Sequence, residues 1–294
     1  MTGPGGVIWL ASFPKSGNTW FRILLANLAA GENGPSDIND LDERGGIASN
    51  RHAFEAATLL DSGLISPDDI DRLRPRLYAQ MAAEAAAAGE TRWIKAHDAY
   101  ALNADGEPLL GRGVARAAVY LVRDPRDVAI SLAFHNSTTI DAAIELMNAP
   151  DGALCGWRKG LPPQLRQKLT GWSGHVASWL DQTDTPVHLV RYEDMRAEPV
   201  VAFAGALAFA GRTATAEEVE RAVRHADFDE LRRQENEKGF GERMSRAPFF
   251  RSGQAGAWRQ DLAPDQVARI EAAHAPMMER LGYPRRTDGE RRCA

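Results

Sequence analysis

Residues 7–25, VIWLASFPKSGNTWFRILL, concentrate the side chains best suited to holding an anion. Lys15 supplies a full positive charge, and Ser16 and Thr19 supply hydroxyls. Gly17 lets the main chain come close to a ligand, because it carries no Cβ. The backbone N–H groups of Gly17, Asn18 and Thr19 can then donate together, and a helix starting there adds partial positive charge. An apolar run, a small-residue turn and a second apolar run give the order strand, loop, helix start, the layout that cradles a phosphate or sulfate. The nucleoside-triphosphate loop G-x-x-x-x-G-K-[ST] has its Lys directly after the second Gly. Here Lys15 precedes Gly17, so the loop is of another kind.

A second anionic group could be gripped later in the chain. Arg123 follows the apolar run AAVYLV, and Ser131 comes after it in DPRDVAISL. A guanidinium fork matches phosphate oxygens, and open α/β sheets bind ligands at their strand ends. His97, in RWIKAHDAY, is a candidate general base. An imidazole with a pKa of about 6.5 takes up a proton readily near neutrality. Asp98 beside it is a candidate to orient the ring. In FFRSGQAGAWR, Arg251 can pair with a phosphate while Gly253 offers a backbone N–H at close range.

These residues need a scaffold that brings distant loops together. Residues 7–10, 92–96, 117–122 and 187–191 read as strands, the last two as runs buried on both faces. Residues 19–30, 52–62, 67–88, 169–180, 199–211, 216–225 and 264–281 read as helices, and another starts near Asp127. Ser66 is a candidate N-cap before Pro67, and Gly89 a stop. Residues 31–50 read as a long loop at a substrate mouth, and 149–165 and 234–250 as lid-like or surface loops. Strands alternating with helices predict an α/β fold, one domain over residues 1–294 with a central parallel sheet flanked by helices. Its core spans about residues 7–282, and 283–294 form a polar tail.

Composition narrows the function classes. The chain has 294 residues, 44% hydrophobic and 26% charged, ordinary for a globular protein. A net charge of −5 and a pI of about 5.9 give no general attraction to nucleic acid or anionic membrane. The two cysteines, Cys155 and Cys293, make neither a disulfide framework nor a metal cluster. Together with an N-terminal segment that lacks a signal-peptide pattern, they point to the cytoplasm.

Several segments together resemble the cytosolic-type sulfotransferases, which use 3′-phosphoadenosine 5′-phosphosulfate (PAPS). Residues 7–25 resemble their P-loop-like 5′-phosphosulfate loop, and residues 119–135 their 3′-phosphate motif, with Arg123 and Ser131 in the gripping positions. Residues 249–259 are similar to the family's Arg-Lys-Gly-x-x-Gly-x-Trp-Lys sequence, with Arg251, Gly253, Gly256 and Trp258 in register. Ser252 there replaces a lysine. DFDELRR and RYEDM resemble segments whose aromatics hold adenine, which implies that Trp20 and Phe228 stack on the base and Tyr192 meets its edge. Lys95 and His97 match the family's Lys-x-His. The resemblance covers about residues 7–282.

The resemblance implies in-line transfer of a sulfuryl group from PAPS to a hydroxyl acceptor, with an amine as the alternative, releasing 3′-phosphoadenosine 5′-phosphate (PAP), with no metal. His97 would act as base, Lys15 would neutralise charge on the leaving phosphate, and Lys95 would hold the sulfuryl oxygens. A small-molecule, glycan or natural-product acceptor is expected, with no nucleic acid or membrane partner. The family's C-terminal dimer motif is not recognisable, so the oligomeric state stays open. The alternatives are an ATP- or GTP-dependent phosphotransferase and a non-catalytic nucleotide-binding module.

Overall fold

The computed structural model describes residues 5–41, 46–156, 162–243, 248–251 and 253–286. Ser252 and residues 157–159, which carry sequence expectations, lie outside the described residues. The chain runs β1 (Gly6–Ser12), α1 (Asn18–Ala30), α2 (Arg51–Thr58), α3 (Pro67–Ala87), β2 (Thr91–Ala96), β3 (Ala115–Val122), α4 (Pro125–Asn136) and α5 (Ile140–Asn148). It continues through β4 (Ala153–Leu154), β5 (Gln167–Lys168), α6 (Gly171–Leu180), β6 (Val187–Arg191), α7 (Tyr192–Ala197) and α8 (Pro199–Phe209). Last come α9 (Ala216–His225), α10 (Phe228–Lys238), α11 (Trp258–Asp261) and α12 (Pro264–Arg280).

Four strands pair in parallel in the order β2-β1-β3-β6, and β4 and β5 form a small antiparallel pair. The central strands β1 and β3 are apolar on both faces because helices cover both. Val7, Trp9 and Ala11 of β1, with Ala118, Tyr120 and Val122 of β3, pack against Tyr78, Ile144, Trp172 and Ile270 from α3, α5, α6 and α12. The alternate residues Leu10, Val119 and Leu121 meet Phe21 and Leu24 of α1, Phe203 of α8 and Val219 of α9.

The α/β architecture agrees with the sequence reading, and the differences have local causes. β6 is an edge strand whose burial is mixed; of its residues only Val190 is fully buried. Helix α4 starts two residues before Asp127, because the Asp124 side chain accepts the Arg126 N–H and Pro125 fits the first turn. Helix α10 replaces the first part of the expected loop at 234–250. It is polar, buries few side chains, and is stitched by Arg233 to Glu230 and Glu237 on neighbouring turns. The Ser66 cap holds, its hydroxyl accepting the Asp69 N–H at 3.1 Å.

Candidate active site

All four strands of the parallel sheet deliver a site residue at their C-terminal ends. β2 carries Lys95 one residue before its end and leads to His97; β1 leads to Lys15, Ser16 and Gly17; β3 leads to Arg123; and β6 leads to Tyr192. This edge is where a parallel α/β sheet binds ligands. A cavity of about 520 Å³ lies over it, lined by Lys15, Gly17, Asn18, Thr19, Trp20, Lys95, His97, Arg123, Ser131, Tyr192, Phe228, Arg251 and Gly253 among others.

The loop after β1 is built for close approach. Gly17 has φ 101°, and a Cβ there would lie 2.8 Å from the Tyr192 ring. Lys15 itself holds a left-handed φ of 70°, a strained state for a non-glycine residue and one that clusters at functional sites. Asn18 does not face the cavity with its amide. Its Nδ2 donates to the Leu10 carbonyl at 2.9 Å and to Ser12 Oγ at 3.2 Å, tying the start of α1 to β1. Ser16 is fully buried, and its Oγ has no hydrogen-bond partner. An unsatisfied buried hydroxyl in a small-residue loop fits an anion-binding role, since leaving it unpaired costs about 1–3 kcal/mol. Burial, with the positive charges of Lys95 and Arg123, pushes the Lys15 ammonium from 10.5 down to about 7. Its Nζ stands 3.8 Å from the centre of the Phe249 ring.

The residues expected at a second phosphate gather around Arg123. Its guanidinium lies 4.3 Å from the Tyr192 ring centre, donates to the Gln254 carbonyl at 2.9 Å, and keeps a buried Nε without a partner. Asp127, which the sequence marked only as the neighbourhood of a helix start, holds the loop that carries Gly253. Its two carboxylate oxygens accept the N–H groups of Gly256 at 2.6 Å and Trp258 at 2.9 Å. Tyr192 Oη donates to the Gly253 carbonyl at 3.0 Å, and a Cβ at Gly253 would lie 2.6 Å from the Phe228 ring. Phe228 and Trp20 both line the cavity; Trp20 Nε1 donates to the Ala226 carbonyl at 3.1 Å, which fixes its ring. Arg251 stands further out. Its guanidinium covers the Phe134 ring at 4.3 Å and pairs with Asp261 at 3.7 Å.

Hydrogen bonding selects one tautomer of His97. Its Nδ1 lies 2.9 Å from the Ser12 carbonyl oxygen, which can only accept, so Nδ1 carries the proton and Nε2 keeps its lone pair. Burial and the nearby Lys95 charge hold its pKa well below the usual histidine value, so the ring is neutral. Behind it, His175 Nε2 donates to the His97 carbonyl at 3.1 Å, and His175 Nδ1 accepts from Tyr120 Oη at 2.8 Å. The expectation that Asp98 orients His97 is wrong. Asp98 is fully buried and paired with Arg74 at 2.5 Å, and its carboxylate also accepts the Lys168 N–H at 3.0 Å. These buried partners leave its carboxylate turned away from the His97 ring, whose Nδ1 is taken by Ser12.

Sequence reasoning passed over three participants. Asp127 was visible only as a place near a helix start. His175 stood within the expected helix over 169–180, with no role attached. Glu242 carried no signal; its carboxylate binds Thr19, Lys95 and Arg22. Among the described residues, no group of three or more His, Cys, Asp or Glu is placed to hold a metal ion. No helix among them is long and apolar enough to cross a membrane.

Comparisons with known proteins place this geometry. A family model described as the sulfotransferase domain matches residues 6–282. Cytosolic sulfotransferase 17 of Arabidopsis thaliana is 25% identical, over 94% of this chain and 75% of its own length. Cytosolic sulfotransferase 8 of the same plant is 26% identical over 90% of this chain and 74% of its own length. A mouse sulfotransferase solved with PAP superposes at a TM-score of 0.58, with 19% identity over 93% of this chain and 84% of that one. A retinol dehydratase solved with retinol and PAP superposes at 0.58, with 21% identity over 92% of this chain and 81% of that one.

Proposed function

The chain belongs to the sulfotransferase-domain family, and from that premise we propose that it moves a sulfuryl group from PAPS to the hydroxyl of a small-molecule acceptor, with His97 as general base. PAPS, when bound, supplies the activated sulfuryl group. Lys15, Ser16 and the N–H groups of Gly17, Asn18 and Thr19 would hold its 5′ end. Arg123 and Ser131 would hold the 3′-phosphate, and the family resemblance assigns Arg251 and Ser252 to the same group. Trp20, Phe228 and Tyr192 would enclose the adenine, as stacking on two aromatic faces is sequence-independent and strong. The unpartnered Ser16 Oγ and Arg123 Nε fit this assignment, and so does the room that Gly17 and Gly253 leave.

One observation carries the reading. Two separate anion grips and a neutral imidazole with its Nε2 lone pair available line the same cavity. His97 would take the acceptor proton as the hydroxyl attacks, and Lys15 and Lys95 would stabilise the charge that develops on oxygen. Further lining residues, Ile130, Leu154, Pro162 and Pro163 with Gln164 and Gln167, support an acceptor with an apolar body and few polar groups. The cytosolic relatives support a cytoplasmic setting.

The test is calorimetry followed by transfer. PAP should bind at least about tenfold more tightly than AMP or ATP, because each charge-assisted contact to the 3′-phosphate contributes about 1.5–3 kcal/mol. Labelled PAPS should then transfer its label to at least one member of a hydroxyl-acceptor panel. Equal affinity for AMP and PAP would remove the assignment of Arg123 and Ser131. Binding of PAP with no transfer to any acceptor would favour a non-catalytic nucleotide module.

A further inference from the structure

Glu242 lies outside every motif of the chain, yet its carboxylate sits among the groups that should grip an anion. Oε2 accepts from Thr19 Oγ1 at 3.3 Å and pairs with Lys95 Nζ at 3.2 Å. Oε1 pairs with Arg22, which is almost fully buried in α1. The adjacent Gly241 N–H donates to Asn39 Oδ1 at 2.7 Å, so the turn is anchored to the loop after α1. Burial disfavours the charge on Glu242, but Lys95 and Arg22 outweigh it and hold the carboxyl at about 2. The group is therefore an anion throughout the physiological range.

Two anions cannot share these partners. A second negative charge at contact distance in a half-buried site is strongly disfavoured. Removing the carboxylate would leave Lys15, Lys95 and Arg22 crowded at one end of the cavity. Resting on the reading above that Thr19 and Lys95 grip the phosphosulfate end, we propose that Glu242 is an internal competitor for that anion. Its carboxylate holds Thr19, Lys95 and Arg22, and the sulfuryl end of the donor must displace it. Glu242 thereby keeps the cationic cradle folded between turnovers and sets the affinity for donor and product.

Glu242→Gln keeps the size and removes the charge. Wild type and variant are titrated with inorganic sulfate and, separately, with PAP, while thermal unfolding is followed. Without added anion the variant should melt lower. Sulfate should bind it about tenfold more tightly than wild type, the gain expected when one charged competitor is lost, and should raise its Tm by more. PAP should gain in the same direction. Unchanged or weaker sulfate binding by a folded variant would overturn the proposal and leave Glu242 as a brace for Lys95. Stronger sulfate binding with no PAP binding by either protein would support the competitor and sink the nucleotide reading instead. Glu242→Asp, which keeps the charge and shortens the reach, serves where the Gln variant does not fold. Its sulfate affinity should rise by less than tenfold, and no rise at all would count against the proposal.

Discussion

At the scale of single residues, the site is a contest between burial and charge. Lys15 sits at about 7 because burial, Lys95 and Arg123 all disfavour its ammonium, with Glu242 and Glu235 acting the other way. A phosphate-bearing ligand beside it would restore the proton. Binding of PAP should therefore take up close to one proton at pH 8 and much less at pH 6. Calorimetry in buffers of different ionisation enthalpy reads this directly, and Lys15→Ala should abolish it. A binding enthalpy independent of buffer at pH 8 would show that Lys15 does not face the bound anion. The residues that sequence reading found are those in contiguous motifs. Lys15, Gly17 and Thr19 lie on one turn, and Arg123 and Ser131 flank one strand-to-helix connection. Glu242 reaches Thr19 across 223 positions, a distance no local pattern encodes. Asp98, next to His97 in sequence, turns instead to Arg74, 24 positions away, a partner that adjacency does not reveal.

At the scale of elements, the strand order spreads the chemistry along one sheet edge. In the order β2-β1-β3-β6, β2 leads to the proposed base, β1 to the proposed cradle, β3 to the proposed second anion grip and β6 to the tyrosine beside it. The strands were legible because continuous apolar runs have few other uses. The exception is β6, whose edge position leaves Leu189 36% exposed despite its apolar sequence. Helix α10 was hidden because its polar face dominates and its support comes from side-chain pairs rather than an apolar stripe. Helix α6 has a particular duty, because it carries His175 to the back of His97. The chain Tyr120, His175, His97 joins β3, α6 and the end of β2 through hydrogen bonds of 2.8 and 3.1 Å. His97→Ala should lower kcat on an alcohol acceptor on the order of 10²-fold and leave PAP affinity unchanged. His175→Leu should lower kcat by a smaller factor, about tenfold, through loss of alignment. His175→Gln, which keeps an N–H for the His97 carbonyl, should recover part of it. If both His175 variants lower PAP affinity and kcat together, α6 supports the fold in general and does not position the base.

At the scale of the whole molecule, an acidic chain carries a cationic site, so its pH response is set by buried groups more than by net charge. His135, His175 and His274 are pushed by burial from 6.5 down to about 4, and His97 lies well below its usual value. In the unfolded chain these rings titrate near 6.5. Between about pH 6.5 and 4 the unfolded state therefore binds more protons than the native state, and stability falls as pH falls. Asp127 and Glu193 act against this. Burial raises both, so the native state holds their protons more firmly, and each contributes stability as pH drops through its raised value. His188 is lowered by burial as well, so five histidines stand against two carboxyls and set the sign, and His175 among them is fully buried. Glu242, held at about 2, adds to the acid loss only below its ordinary value of 4.5. The midpoint of thermal unfolding should fall by at least about 5 °C from pH 7 to pH 5, since a few kcal/mol shift Tm by several degrees at this size. His175→Gln cannot charge, so it should melt with a shallower slope over the same window even if its Tm at pH 7 is lower. A Tm that holds steady or rises between pH 7 and pH 5 would mean that these rings are already protonated in the native state. The neutral His97 required for a general base would then be lost with them.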